Sequence, residues 1–391
     1  MRYLLLRLKR FCGFITGFVF FLSGIVKLMD PVGAGLVMKE YYEFLHLGFL
    51  TFSAKPMGVF FALAETVIGT ALITGVWRRI TAQCAIVLQG FFTILTLLLV
   101  IFNPEMDCGC FGEAIHLTHL QTFVKNIILL ALLLIYYIPR KHLGETRKKK
   151  YVSFALVTAS VVAFTIYSWI SIPMIDFTAY KAGSELQAGS SSYADDIYES
   201  VFKYEKDGKV ETFTLDNLPD STWTFVNVET VRKAGAEDLS VGLSFYSIST
   251  GEYEDELAAE ESVMVVSVYD TNISDRKWEK TEAFMKRAKA AGFSVILLCS
   301  SEEGLPASLK DKAYISDFKT LVSMNRSNGG VTYFHNGMLI RKWSSRNAPD
   351  IKSLEDIRSA DATEVSISHN SKGSLGFQSF LLYVFVVMLL L

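Results

Sequence analysis

At 391 residues the chain is long enough for two or three domains, and 51% of its residues are hydrophobic, which excludes a soluble fold along its whole length. A formal net charge of -2 gives no global basis for nucleic-acid binding. Five cysteines (Cys12, Cys84, Cys108, Cys110 and Cys299) are too few to staple a disulfide scaffold.

Residues 1–172 hold most of the apolar sequence, whereas 176–373 have the composition of a soluble protein. A bilayer core takes roughly 20 apolar residues as a helix. Five such stretches are predicted: Phe11–Met29, Met57–Trp77, Ile80–Phe102, His119–Ile138 and Tyr151–Ile172. A shorter sixth, Phe377–Leu391, has no basic flank after it and reads as a weak or incomplete anchor. The first stretch follows basic residues, as in a signal peptide, but Lys27 and Asp30 stand where a cleavage site would lie. Lys and Arg mark the cytoplasmic side. Arg2, Arg7, Lys9 and Arg10 precede the first helix, Arg78 and Arg79 join the second to the third, and Arg140, Lys141 and Arg147–Lys150 join the fourth to the fifth. The segment Asn103–Gln121 has no Lys or Arg, so it and residues 173–376 are expected outside.

Three polar residues interrupt the apolar helices: Lys27 at the outer end of the first, Glu65 in the second and Gln89 in the third. A charge near the bilayer centre costs roughly 2.5–3.5 kcal/mol, so such groups turn inward and find partners. Glu65 with Lys27 reads as a structural clasp, or as a proton relay or polar pocket for a quinone head group.

The outer loop reads Asp107-Cys108-Gly109-Cys110-Phe111-Gly112-Glu113. Thiols one residue apart close only a small strained ring, which gains little as a staple. Strained, exposed disulfides are the labile and catalytic ones. Thr118 and Gln121 have capping-box spacing, so the next helix begins beside the loop. Its N-terminal dipole favours a thiolate, while Asp107 and Glu113 oppose one. Two rival readings remain: zinc held by Cys108, Cys110, His116 and His119, although Cys-x-Cys is tighter than the usual spacing, or two incidental cysteines. Cys12 and Cys84 read as packing residues of apolar helices.

Residues 173–260 are expected as a small β-rich unit, with Gly189–Ser192 as a flexible link and a hairpin turning at Asp207-Gly208. In 261–360 the predicted elements are a strand at Val263–Tyr269, a helix at Asp275–Ala291, a strand at Ser294–Leu298, a hairpin of Val331–Phe334 with Met338–Trp343, and a helix near Ser353–Ser359. Cys299 reads as packing at a strand end.

Residues 1–140 resemble the DoxX/MauE family of redox-associated four-helix membrane proteins. The resemblance rests on Ser23-Gly24-Ile25-Val26-Lys27 with Asp30-Pro31-Val32-Gly33, on Glu65 with Gly69 and Gly75–Arg79, and on Asp107-Cys108-Gly109-Cys110-Phe111-Gly112 with Leu117-Thr118, Gln121–Phe123 and Lys125-Asn126. It implies an association with methylamine utilisation and with periplasmic disulfide formation. The whole chain resembles a Bacteroidetes fusion type in which this bundle carries a large periplasmic part. Residues 261–360 resemble a thioredoxin fold without its dithiol: Asp270-Thr271-Asn272-Ile273 fills the Cys-x-x-Cys slot, and Gly329-Gly330 replaces the cis-proline. The expected architecture is therefore an α-helical membrane bundle, DoxX-like with extra transmembrane helices at 151–172 and 377–391. To it are joined an extracytoplasmic β-rich segment and an α/β thioredoxin-like domain.

The resulting functional expectation is thiol–disulfide exchange through Cys108 and Cys110. Its partners would be periplasmic thiol proteins, membrane lipid and a quinone near Glu65 and Lys27, in the inner membrane and without nucleic acid. The alternatives are a non-catalytic membrane anchor for an interaction domain, and metal handling by the Cys/His set.

Overall fold

A computed structural model describes residues 2–104, 106–138, 146–187, 198–206, 209–214, 219, 222–232 and 240–390. The chain forms two compact units, Met1–Thr178 with Ser368–Leu391, and Ala179–Ile367. Arg140, Lys141, the Gly189–Ser192 link and the Asp207-Gly208 turn lie outside the described residues.

The first unit is helical: α1 (Arg2–Met29), α2 (Pro31–Phe44), α3 (Ala54–Thr74), α4 (Arg78–Phe102), α5 (His119–Tyr137), α6 (Lys148–Ile170) and, after the second unit, α11 (Ala362–Leu390). All but α2 are long and apolar enough to cross a membrane. The protein is a multi-pass membrane protein. The predicted spans are recovered within a turn or so, except that the first and last helices begin well before Phe11 and Phe377, at Arg2 and Ala362.

Helix α2 has no counterpart among the predicted elements. Its 14 residues are too short to span, but its start is written in the sequence: Asp30 caps it by accepting from the Gly33 amide at 2.9 Å, and Pro31 occupies the first turn.

Helix α1 is buried on two sides. Phe21, Ile25 and Leu28 pack with Val59 and Ala62 of α3, Val157 and Val161 of α6 and Val384 of α11. Cys12 and Phe20 pack with Leu72 of α3 and with Leu129 and Leu133 of α5. The α1–α3 contact is backbone to backbone. A Cβ on Gly24 would stand 2.2 Å from Thr66 Oγ1, and one on Gly69 would stand 2.5 Å from the Phe21 amide nitrogen. Small residues at such contacts let membrane helices approach closely, and this approach brings Lys27 to Glu65. Cys12 is a packing residue as expected; Cys84 is not, because α4 turns it outward and leaves it exposed.

The second unit is built on an eight-stranded sheet. Its strands are β2 (Glu185–Gln187), β6 (Ser240–Gly242), β7 (Tyr246–Ser247), β8 (Val263–Val268), β9 (Ser294–Cys299), β10 (Ala313–Ile315), β11 (Gly330–His335) and β12 (Met338–Trp343), in the order β6-β2-β12-β11-β8-β9-β10-β7. Strands β8, β9 and β10 run parallel, and β11 and β12 form an antiparallel hairpin beside β8. Every residue of β8 is buried. Met264, Val266 and Val268 pack with Trp278 and Phe284 of α7 (Asp275–Ala290) and Leu354 of α10 (Ile351–Ser359). Val263 and Val265 pack with Leu321 and Met324 of α9 (Phe318–Met324) on the opposite face. Strand alternation thus gives helices on both faces. A further small helix, α8 (Ala307–Lys310), precedes β10.

Residues 173–260 do not stand apart from this sheet, because β2, β6 and β7 lie at its two edges. They also supply a separate three-stranded antiparallel sheet of β3 (Tyr198–Lys206), β4 (Lys209–Thr214) and β5 (Thr224–Arg232), ordered β4-β3-β5. Cys299 is fully buried and its thiol is pushed up to about 12 by that burial, so it is an inert packing residue.

Candidate functional site

The site is assembled from α1, α2, α3, α4, α5 and the loop between α4 and α5. Asn103 ends α4 in a left-handed conformation, Pro104 prevents its continuation, and the chain then crosses to Thr118. Thr118 and Gln121 form the expected capping box at the start of α5. Between them the loop folds back on the helices. The Tyr41 hydroxyl of α2 donates to the Cys108 carbonyl at 2.9 Å, and His119 Nε2 lies 2.9 Å from the Met106 carbonyl. Cys110 begins a short extended segment, β1 (Cys110–Glu113), and its carbonyl lies 2.7 Å from Ser23 Oγ of α1.

Gly109 sits at φ +59°, and a Cβ there would meet Val37 Cγ1 at 2.3 Å. Both the backbone conformation and the close approach therefore require glycine. Gly109→Ala is expected to destabilise the protein by about 1–2 kcal/mol and to make Cys108 alkylate faster. Adding Val37→Ala is expected to recover part of that loss, since it removes the clash but leaves the φ. Thermal unfolding and alkylation rates of the two variants check both statements.

The loop leaves Cys108 buried and Cys110 half-buried, both as free thiols. Burial pushes the Cys108 thiol above its ordinary range; the Thr122 hydroxyl and Lys125 act against this, and Cys110 and Asp107 reinforce it. Besides the α5 dipole and the neighbouring carboxylates, burial thus adds an effect that disfavours the thiolate and is invisible in the sequence.

Lys27 donates to both oxygens of Glu65 at 2.9 Å, with both side chains largely buried. Ser23 Oγ lies 2.8 Å from Glu65 Oε2 as well as 2.7 Å from the Cys110 carbonyl. Its one proton can serve only one acceptor at a time, so the ion pair and the thiol loop compete for the same hydroxyl. On the facing helices, Gln89 donates to the Asn126 carbonyl at 3.2 Å, and Asn126 Nδ2 donates to Thr96 Oγ1 at 3.1 Å. Ser23 and Asn126 stand in the motifs that carry the family resemblance but were given no role there; Tyr41 and Thr96 were not singled out from the sequence.

These groups line one cavity of about 370 Å³. Cys108, Gly109 and Cys110 form part of its wall, and its polar groups include Lys27, Glu65, Gln89, Lys125 and Asn126 with the hydroxyls of Ser23, Tyr41 and Thr96. Most of the remaining lining is apolar, including Phe61 and Phe92, and the Lys27 ammonium stands 5.7 Å from the centre of the Phe92 ring. An apolar hollow with a few convergent polar groups suits a small organic ligand.

The metal reading is not carried by this arrangement. His119 is turned to the Met106 carbonyl, and His116 lies on the exposed surface 3.4 Å from Asp107. Among the described residues no three His, Cys, Asp or Glu groups are placed to hold an ion.

In the second unit, the loop after β8 has no thiols and is tied down. Asn328 Nδ2 donates to the Asp270 carbonyl at 2.7 Å, and the Asp270 amide donates to Asn328 Oδ1 at 3.1 Å.

Residues 3–139 match the family model for methylamine utilisation protein MauE. Residues 198–233 match a domain of unknown function, DUF8463. Protein TlpB of Flavobacterium psychrophilum is 25% identical to this chain over 227 residues, covering 56% of this chain and 55% of that protein. The chain thus spans about half the length of the curated relative it matches. No solved structure matches it at a significant level.

Proposed function

With residues 3–139 as a MauE-family membrane domain, we propose that the protein is a membrane thiol–disulfide oxidoreductase whose Cys108–Cys110 pair exchanges electrons with a quinone in the adjoining cavity. The observation that carries this reading is the shared wall: the two cysteines line the same apolar hollow as the Lys27–Glu65 pair. Oxidation of the pair breaks two S–H bonds and makes one S–S bond. The two electrons and two protons released convert a quinone to its quinol. In the other half-cycle the disulfide accepts two electrons from a client dithiol, through a mixed disulfide, and returns to the reduced pair. Lys27 would donate to the quinone oxygen, Glu65 would hold the Lys27 ammonium in place for it, and Ser23 would pass a proton beside the loop.

We place the bundle in the inner membrane, with the loop and residues 173–376 on the periplasmic side. The strand order β9-β8-β11-β12, with helices on both faces, supports a thioredoxin-like reading of the second unit. The slot tied to Asn328 supports a role in binding clients and not in thiol chemistry. The methylamine utilisation named for the family is one setting for such exchange.

Anaerobic addition of a soluble short-chain quinone to the reduced, purified protein tests this. The expected result is an intramolecular Cys108–Cys110 disulfide, with quinol formed in equal amount, read by mass after alkylation. Thiols that stay reduced overturn the quinone assignment. Thiols that do not titrate reversibly in a dithiol–disulfide buffer overturn the redox pair itself.

A further inference from the structure

The cavity beside Cys108 and Cys110 has an apolar mouth. Leu45, which ends α2, and Phe91 of α4 both line the cavity, yet they are 38% and 47% exposed. Each therefore has one side in the cavity and the other on the surface of the bundle. Between them the lining runs through Leu47 and Leu50, at the start of the 3₁₀ helix Gly48–Ser53, and through Met57 and Phe61 of α3. All six side chains are apolar. Phe61 stacks on Phe91 with ring centres 5.7 Å apart, so α3 and α4 meet there through aromatic rings.

The 3₁₀ helix also shows what the mouth faces. Phe49 and Phe52 are 75% and 84% exposed, and no Asp, Glu, Lys or Arg stands between Glu43 and Lys55. Large apolar side chains bared together beside membrane-spanning helices mark a surface that lies in lipid. The mouth thus opens into the bilayer, at the end of the bundle that carries the cysteine loop. At about 370 Å³ the cavity is also near the small end of the roughly 300–1,000 Å³ that small-molecule sites span. It has room for a ring with short substituents, and a longer chain has to leave through the mouth.

We infer that the cavity takes a quinone carried in the bilayer, with its ring at Lys27 and a long isoprenoid tail running out between the 3₁₀ helix, α3 and α4. This rests on the quinone reading of the cavity and adds to it the class of quinone and its route. The polar groups match the ring oxygens and the apolar rim matches the tail. A short soluble quinone would leave the rim unused.

The test uses the full-length, reduced protein in lipid nanodiscs and a benzoquinone whose three-isoprene tail ends in a photoreactive diazirine. On illumination the label is expected on residues 44–57 or 91–95. Label on the outward faces of α5 and α6 instead, or oxidation of the thiols by a short-chain quinone but not by this probe, overturns the inference while the quinone reading stands. Oxidation by neither quinone overturns both. Leu50→Asp places a charge on the rim, which the tail would have to desolvate. The preference of this variant for a long-tailed over a short-chain quinone, read as the ratio of kcat/KM for thiol oxidation, is expected to fall about tenfold. An unchanged ratio overturns the inference; if the variant does not fold, the position of the label on the wild type decides.

Discussion

Replacing Cys108 by serine is expected to stop quinone-dependent oxidation, with a loss on the order of 10³-fold or more; when the Cys110 thiolate attacks a client disulfide and expels one client thiol, it is expected to stay joined to the other client sulfur as a long-lived mixed disulfide. The asymmetry follows from position. Cys110 is half-buried and can meet an incoming thiol, whereas Cys108 is buried and its thiol is raised above the ordinary range. In such a pair the accessible sulfur forms the mixed disulfide and the enclosed one resolves it. Cys110→Ser is therefore expected to lose oxidation equally but to accumulate no mixed disulfide. Raising the pH is expected to speed alkylation of Cys108 through a range above that of a free thiol, because burial disfavours its thiolate. Trapping cells in acid, alkylating and identifying the linked peptides by mass checks the first two statements. Equal trapping by both variants would remove the assigned asymmetry, trapping by Cys110→Ser alone would reverse it, and undiminished oxidation in the serine variants would remove the pair from the chemistry.

Lys27→Met is expected to lower stability by about 3–5 kcal/mol, the usual cost of removing one member of a buried ion pair. Glu65 would then stand in the apolar cavity with Ser23 as its remaining partner among the contacts described above. Lys27→Met with Glu65→Leu removes both charges and is expected to recover most of the lost thermal stability. The double variant separates the two readings of the pair. A clasp that only joins α1 to α3 predicts that quinone-dependent oxidation returns along with stability. A site for the quinone oxygen predicts a stable protein that oxidises slowly, with a raised quinone concentration at half-maximal rate. Unfolding temperature in detergent and the quinone dependence of disulfide formation read both quantities. A single Lys27→Met variant with wild-type unfolding would show that the 2.9 Å contact carries no net stability.

The membrane helices were legible because hydropathy acts residue by residue: a run of Phe, Leu, Ile and Val has to leave water whatever it packs against. The capping box at Thr118 and the strands of 261–360 were legible for a related reason, since both are set by neighbours within a few residues. Helix α2 was also written locally, in Asp30-Pro31, but the same two residues serve equally well to end a helix. The sequence likewise determined that Cys108 and Cys110 share a loop one glycine apart, too close to act as a staple. What that loop touches was decided only by the tertiary structure. Gly24 and Gly69 allow α1 and α3 to meet, which joins Lys27 to Glu65. Helix α2 then brings Val37 and Tyr41 onto the cysteines from far along the chain. Burial, the raised Cys108 thiol and the cavity shared with the ion pair all follow from those long-range approaches. They depend on how much water is excluded, and that is a property of several helices together.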